Sequence, residues 1–104
     1  MRPWWMLAAV ALCLGCSLGA PPSSQWPAPE LAARLGCFAC HQAGGRGGQV
    51  AAPLDGVGRR LTASQLDAML TYPRQIHAGA RMPSYAYLPA PERRKLKEFL
   101  TSLP

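Results

Sequence analysis

Apolar residues recur at helical spacing in three stretches of this chain and alternate convincingly at period two in none. Pro29 suits a first helical turn and Glu30 suits the positive end of a helix dipole; with Leu31, Ala32 and Leu35 they predict a helix running to Gly36. Thr62-Ala63-Ser64-Gln65 has the form of a capping box. Leu66, Met69 and Leu70 then fall at i, i+3 and i+4 until Tyr72-Pro73 stops the helix. A third helix opens at Pro91-Glu92, with Leu96, Phe99, Leu100 and Leu103 in one apolar stripe and Arg93, Arg94, Lys95 and Lys97 on its other faces. The pattern predicts an all-α fold of three main helices joined by long loops.

The N-terminal pattern is different. Arg2 followed by the apolar run Trp4 to Leu14, short for a bilayer span, reads as a secretory signal over residues 1–15. Gly15-Cys16 at its end resembles the lipobox of bacterial lipoproteins, in which the cysteine is lipidated and becomes the new N-terminus. The alternative is ordinary cleavage a few residues on, which would place Leu18 where a small residue is preferred. Residues 16–27 are rich in Pro and Ser, lack periodicity and read as a flexible tether. Residues 28–104 remain as the folded domain, small enough that a core of protein side chains alone would be marginal.

Candidate chemistry concentrates in Cys37-Phe38-Ala39-Cys40-His41, the Cys-x-x-Cys-His spacing of covalent haem attachment. On a helix, Cys37 and Cys40 share a face about 4.5 Å apart along the axis, close enough to reach two vinyl groups on one side of a porphyrin. His41, four residues after Cys37, is expected one turn further along that face as the first axial ligand. A structural zinc site would need four ligands, and the only other histidine is His77. A thioredoxin-like dithiol would need a βαβ setting that the pattern lacks. Cys13 falls in the leader, Cys16 takes the lipid and Cys37 with Cys40 take haem, so no cysteine is left for a structural disulfide. Haem also supplies the missing apolar core.

The second axial ligand has three candidates. Met82 lies in the irregular stretch Gly79-Ala80-Arg81-Met82-Pro83, where the chain can turn a thioether inward. Met69 sits on its helix's apolar stripe and reads as core; His77, in a polar context, reads as a solvated loop residue. A thioether opposite imidazole favours the ferrous state and, by filling the sixth position, leaves no site for a small-molecule substrate.

These residues resemble a small class I cytochrome c: the attachment motif, Met82-Pro83 followed by Ser84-Tyr85, and the proline of Ala52-Pro53-Leu54 after the haem helix. The resemblance implies a small cytochrome c fold, three main helices and loops wrapped around one haem c. It further implies that the Pro53 carbonyl accepts the hydrogen bond of the proximal imidazole and that Arg60, with Arg59 in reserve, approaches a haem propionate. The last helix would cross the first at Ala32 and Ala33. Gly44-Gly45-Arg46-Gly47-Gly48 lacks the Lys-Ser/Thr of a phosphate loop and reads as a flexible surface loop.

Charge bears on partners. The chain has 11 Lys and Arg against 5 Asp and Glu, so loss of Arg2 with the leader leaves about +5, and two haem propionates would bring that to about +3. Redox proteins with acidic docking surfaces are the expected partners, with the basic face of the last helix alternatively solvating it or meeting lipid headgroups. Nucleic acid is not expected outside the cytoplasm. The expectation is therefore an electron-transfer protein, not an enzyme, exported and lipid-anchored at the periplasmic face of a bacterial membrane. Residues 60–62 through Met82-Pro83 also resemble the small cytochrome subunit of thiosulfate-oxidising complexes. A sensor or peroxidase in which Met82 does not coordinate is a third reading.

Overall fold

In the computed structural model, Gly19 and residues 22–104 are described; the expected leader, Cys13 and the lipidation candidate Cys16 lie outside them. Three helices dominate: α1 (Ala28–Arg34), α4 (Ala63–Thr71) and α6 (Ala90–Ser102). Between them lie the short helices α2 (Cys37–Cys40), α3 (Val57–Arg60) and α5 (Pro73–Ile76), each a single turn. Among the described residues the fold is mostly helical, as the apolar pattern predicted.

Each long helix begins as its sequence directs. Pro29 sits in the first turn of α1, Pro91 in that of α6, and neither position needs the missing N–H. At α4 the capping box forms in full: Gln65 N donates to Thr62 Oγ1 at 3.1 Å, and Thr62 N donates to Gln65 Oε1 at 2.8 Å. Helix α6 packs across α1, α3 and α4. Leu96 and Leu31 are its central contacts, 1% and 0% exposed, and each contributes about 1.5–3 kcal/mol through burial. Ala32 is buried at this crossing as expected, whereas Ala33 is exposed. On the α3 side, Gly58 brings its backbone so close to Thr101 that any side chain would collide with it. The chain end closes the same layer, since Gly56 N donates to the Pro104 carbonyl at 2.9 Å.

One two-stranded ladder, absent from the periodicity, follows α2. Strand β1 (Gln42–Ala43) pairs antiparallel with β2 (Arg46–Gly47), the turn being Gly44-Gly45 with φ values of 57° and 76°. The glycine-rich loop is therefore pinned: Gly48 N donates to the Phe38 carbonyl at 2.9 Å, and a Cβ on Gly48 would run into the Ala39 carbonyl. Gly47 and Gly48 serve this close packing, whereas Gly44 and Gly45 supply the turn.

The end of the stretch read as a tether is also held. Ser23 Oγ donates to Glu92 Oε1 at 2.7 Å, and Lys95 Nζ donates to the carbonyls of Ser24 and Trp26, both at 2.9 Å. The Arg34 guanidinium lies 4.4 Å from the centroid of the Trp26 ring. Glu92 is only 4% exposed, and the Ser23 hydroxyl satisfies one of its oxygens. The basic face of α6 is likewise engaged: Arg93 donates to the Leu88 and Ala86 carbonyls, and Lys97 lies 3.9 Å from Asp67. Arg94 is left exposed.

Candidate functional site

Cys37, Cys40 and His41 converge on one cavity of about 660 Å³, lined also by Met69, His77 and Met82. Gly36, with φ of 85°, ends the approach from α1 in a left-handed conformation and starts α2, which carries both thiols on one turn. Both cysteines are free. Burial pushes the Cys37 thiol up, with hydrogen bonding to its own backbone and to Tyr85 working the other way. The helix stops at Cys40. His41 is not one turn further along the same face but leaves it in extended conformation, with φ of −101° and ψ of 146°.

That change of direction sets the imidazole. His41 Nδ1 lies 2.6 Å from the Ala52 carbonyl oxygen. A carbonyl only accepts, so Nδ1 carries the proton and Nε2 keeps the lone pair that can bind iron. The acceptor expected from the resemblance was the carbonyl of Pro53. That carbonyl is instead engaged by Arg60, whose Nη2 donates to it at 2.7 Å while Nη1 donates to the Asp55 carbonyl at 2.5 Å. Arg60, expected beside a propionate, thus braces the loop that presents Ala52 to His41. Asp55 holds the same loop to the glycine turn, accepting from Gly44 N at 2.8 Å.

On the other side, the Met82 loop is fastened to the end of α4. Ser84 Oγ donates to the Thr71 carbonyl at 2.6 Å, and Tyr85 N donates to the Leu70 carbonyl at 2.7 Å. Tyr85 then spans to the thiol side, its hydroxyl donating to the Leu35 carbonyl at 2.8 Å. Burial, with neighbouring Cys37 and Tyr87, pushes its phenol up to about 12. Tyr85 is buried and lines the cavity, while Tyr72 and Tyr87 are largely exposed.

Met82 is half-buried and packs against the core. Met69, read as a core residue, is also half-buried and lines the cavity; Leu66 and Leu70 take the core positions of α4 and leave Met69 at the stripe's edge. His77 is exposed at the rim. Reading the sequence pointed to Pro53 where the structure has Ala52 as the acceptor, because a backbone acceptor leaves no mark in side-chain identity.

This donor set fits haem: two free thiols on one turn, an imidazole with Nε2 available, and thioethers lining the same largely apolar cavity. It does not fit structural zinc, since among the described residues no three His, Cys, Asp or Glu side chains are grouped to hold a metal ion. Among known proteins, the family model for cytochrome c matches residues 28–104. No curated protein and no solved structure matches the chain. The chain therefore belongs to the cytochrome c family, whose covalently attached haem c carries iron and transfers electrons.

Proposed function

We propose that this protein is a one-electron carrier in a respiratory or periplasmic redox chain, with His41 and Met82 as the axial ligands of one haem c. Bound haem supplies a one-electron couple. Cys37 and Cys40 hold the ring covalently, the Ala52 carbonyl orients His41, and the Ser84 and Tyr85 anchors hold the Met82 loop against the cavity. The observation that carries the reading is one cavity lined by the motif and Met82 together, with Met82 also packed on the core. A soft sulfur ligand raises the potential, which suits exchange with oxidising partners. With both axial positions filled, electron transfer needs no substrate site.

The same proposal places the protein outside the cytoplasm, held to a membrane by lipid on Cys16. Ser23 to Trp26 are pinned on α6, so the C-terminal part of the tether expected over residues 16–27 belongs to the folded domain. A net positive charge favours partners with acidic docking surfaces, so exchange rates fall as salt rises.

The test is the visible spectrum of the oxidised, periplasmically matured protein. The weak sulfur-to-iron charge-transfer band is expected in wild type and in Met69→Ala, and is expected to vanish in Met82→Ala. Retention of the band in Met82→Ala, with loss in Met69→Ala, would reassign the ligand. Carbon monoxide binding to reduced wild type at neutral pH would favour the sensor or peroxidase reading. Co-purification with a larger redox enzyme would make the chain a cytochrome subunit.

A further inference from the structure

Haem c brings two propionates, and an anion at the edge of a largely apolar cavity needs a cation or strong donors nearby. The resemblance pointed to Arg60 for that role, yet its two terminal nitrogens already donate to the Asp55 and Pro53 carbonyls. Its reserve, Arg59, lies with its guanidinium against Gly56. Among the residues that line the cavity, Arg81 is the only arginine or lysine. It also lines an adjoining groove of about 580 Å³ together with Arg74, so it stands where the two meet. It is exposed, and none of the side-chain hydrogen bonds or ion pairs among the described residues uses it.

We propose that Arg81, immediately before the Met82 ligand candidate, pairs with a haem propionate, and that Arg60 works as a loop brace. The planar guanidinium suits a carboxylate because it can donate two parallel hydrogen bonds. The arrangement also has a consequence for the site. Thioether bonds at Cys37 and Cys40 fix one edge of the ring, and the acidic edge lies away from them. A pair at Arg81 would therefore tie the Met82 loop to the ring through charge as well as through sulfur. The positive charge would favour ferrous iron, because it disfavours the extra charge of the ferric state.

The assignment rests on the haem reading but is tested separately from Met82 ligation. Matured holoprotein is compared as wild type, Arg81→Gln, Arg81→Lys and Arg60→Gln, by resonance Raman spectroscopy of the propionate bending mode and by redox titration at one fixed pH. Arg81→Gln is expected to shift the propionate band and lower the midpoint potential; Arg81→Lys keeps the charge and is expected to shift the band less and to hold the potential near wild type. Arg60→Gln is expected to leave the band in place. A band that moves in Arg60→Gln and not in Arg81→Gln would overturn the assignment, as would one that moves in neither. Should Arg81→Gln fail to load haem, Arg81→Lys decides: an unchanged band with the two-pronged donor removed counts against the pair. The charge-transfer band of Met82, read on the same samples, reports failure of the ligand reading independently.

Discussion

His41 Nδ1 and the Ala52 carbonyl oxygen stand 2.6 Å apart, and this contact links the haem motif to a loop eleven residues further along. The loop is held in turn by Arg60, through its bonds to the Pro53 and Asp55 carbonyls. The nitrogen of His41 proposed to bind iron is therefore linked, through the Ala52 loop, to an arginine whose own bonds go to backbone carbonyls.

Arg60→Ala is expected to lower the stability of the holoprotein by about 1–3 kcal/mol, the range for losing charge-assisted hydrogen bonds with partial exposure. Urea unfolding followed by the haem absorbance gives the value. An unchanged midpoint would mean that the loop holds its shape without this brace.

Gly48 and Gly79 make a contrasting pair. A side chain at Gly48 meets the backbone of Ala39 and Cys40, whereas one at Gly79 meets nothing. Gly48→Ala is expected to cost about 1–3 kcal/mol or more and to reduce the yield of coloured protein, and Gly79→Ala to stay within about 0.5 kcal/mol. Equal yields and unfolding midpoints for the two variants would contradict the tight packing of the glycine loop on α2.

How much was legible from residues alone varies with element length. Helices α1, α4 and α6 each carry an N-terminal signal and enough turns for a stripe, so Pro29, the Thr62 box and Pro91 located them. Helices α2, α3 and α5 are single turns, and the β1–β2 ladder pairs two residues a side; neither length can show a period. The cavity's thiols and imidazole were legible because their chemistry demands those residue types. Ala52 was not, because the acceptor is backbone, and its register was settled by Arg60 taking the next carbonyl. Nor was the docking of Trp26, since a Pro- and Ser-rich stretch looks like a tether until Arg34, Glu92 and Lys95 come together from α1 and α6.

Trp26→Ala tests that docking. Loss of its partly buried ring and of the Arg34 contact is expected to cost about 1–3 kcal/mol, less than for a fully buried tryptophan. Limited proteolysis should then cut within residues 22–27, where wild type resists. Equal cleavage of both proteins would show that the segment is not held in solution.

Tyr85 predicts an alkaline response. Its phenol ordinarily ionises near 10, and burial holds the proton to about 12 in the folded chain. Below pH 10 both states are neutral and the favourable contribution is fully present; between pH 10 and 12 the unfolded chain ionises first, so stability falls across that window. Tyr85→Phe should lose about 0.5–1.5 kcal/mol at neutral pH with its bond to Leu35, yet decline less steeply above pH 10. Parallel stability curves for the two proteins from pH 9 to 12 would contradict the burial of this group.

The most direct check on the whole account is the intact mass of protein matured in a periplasm, taken after denaturing extraction with acidified acetone. One haem added per chain and retained through extraction is expected, and none in a Cys37→Ala, Cys40→Ala double variant. Colourless protein, or haem that washes away from wild type, would contradict it.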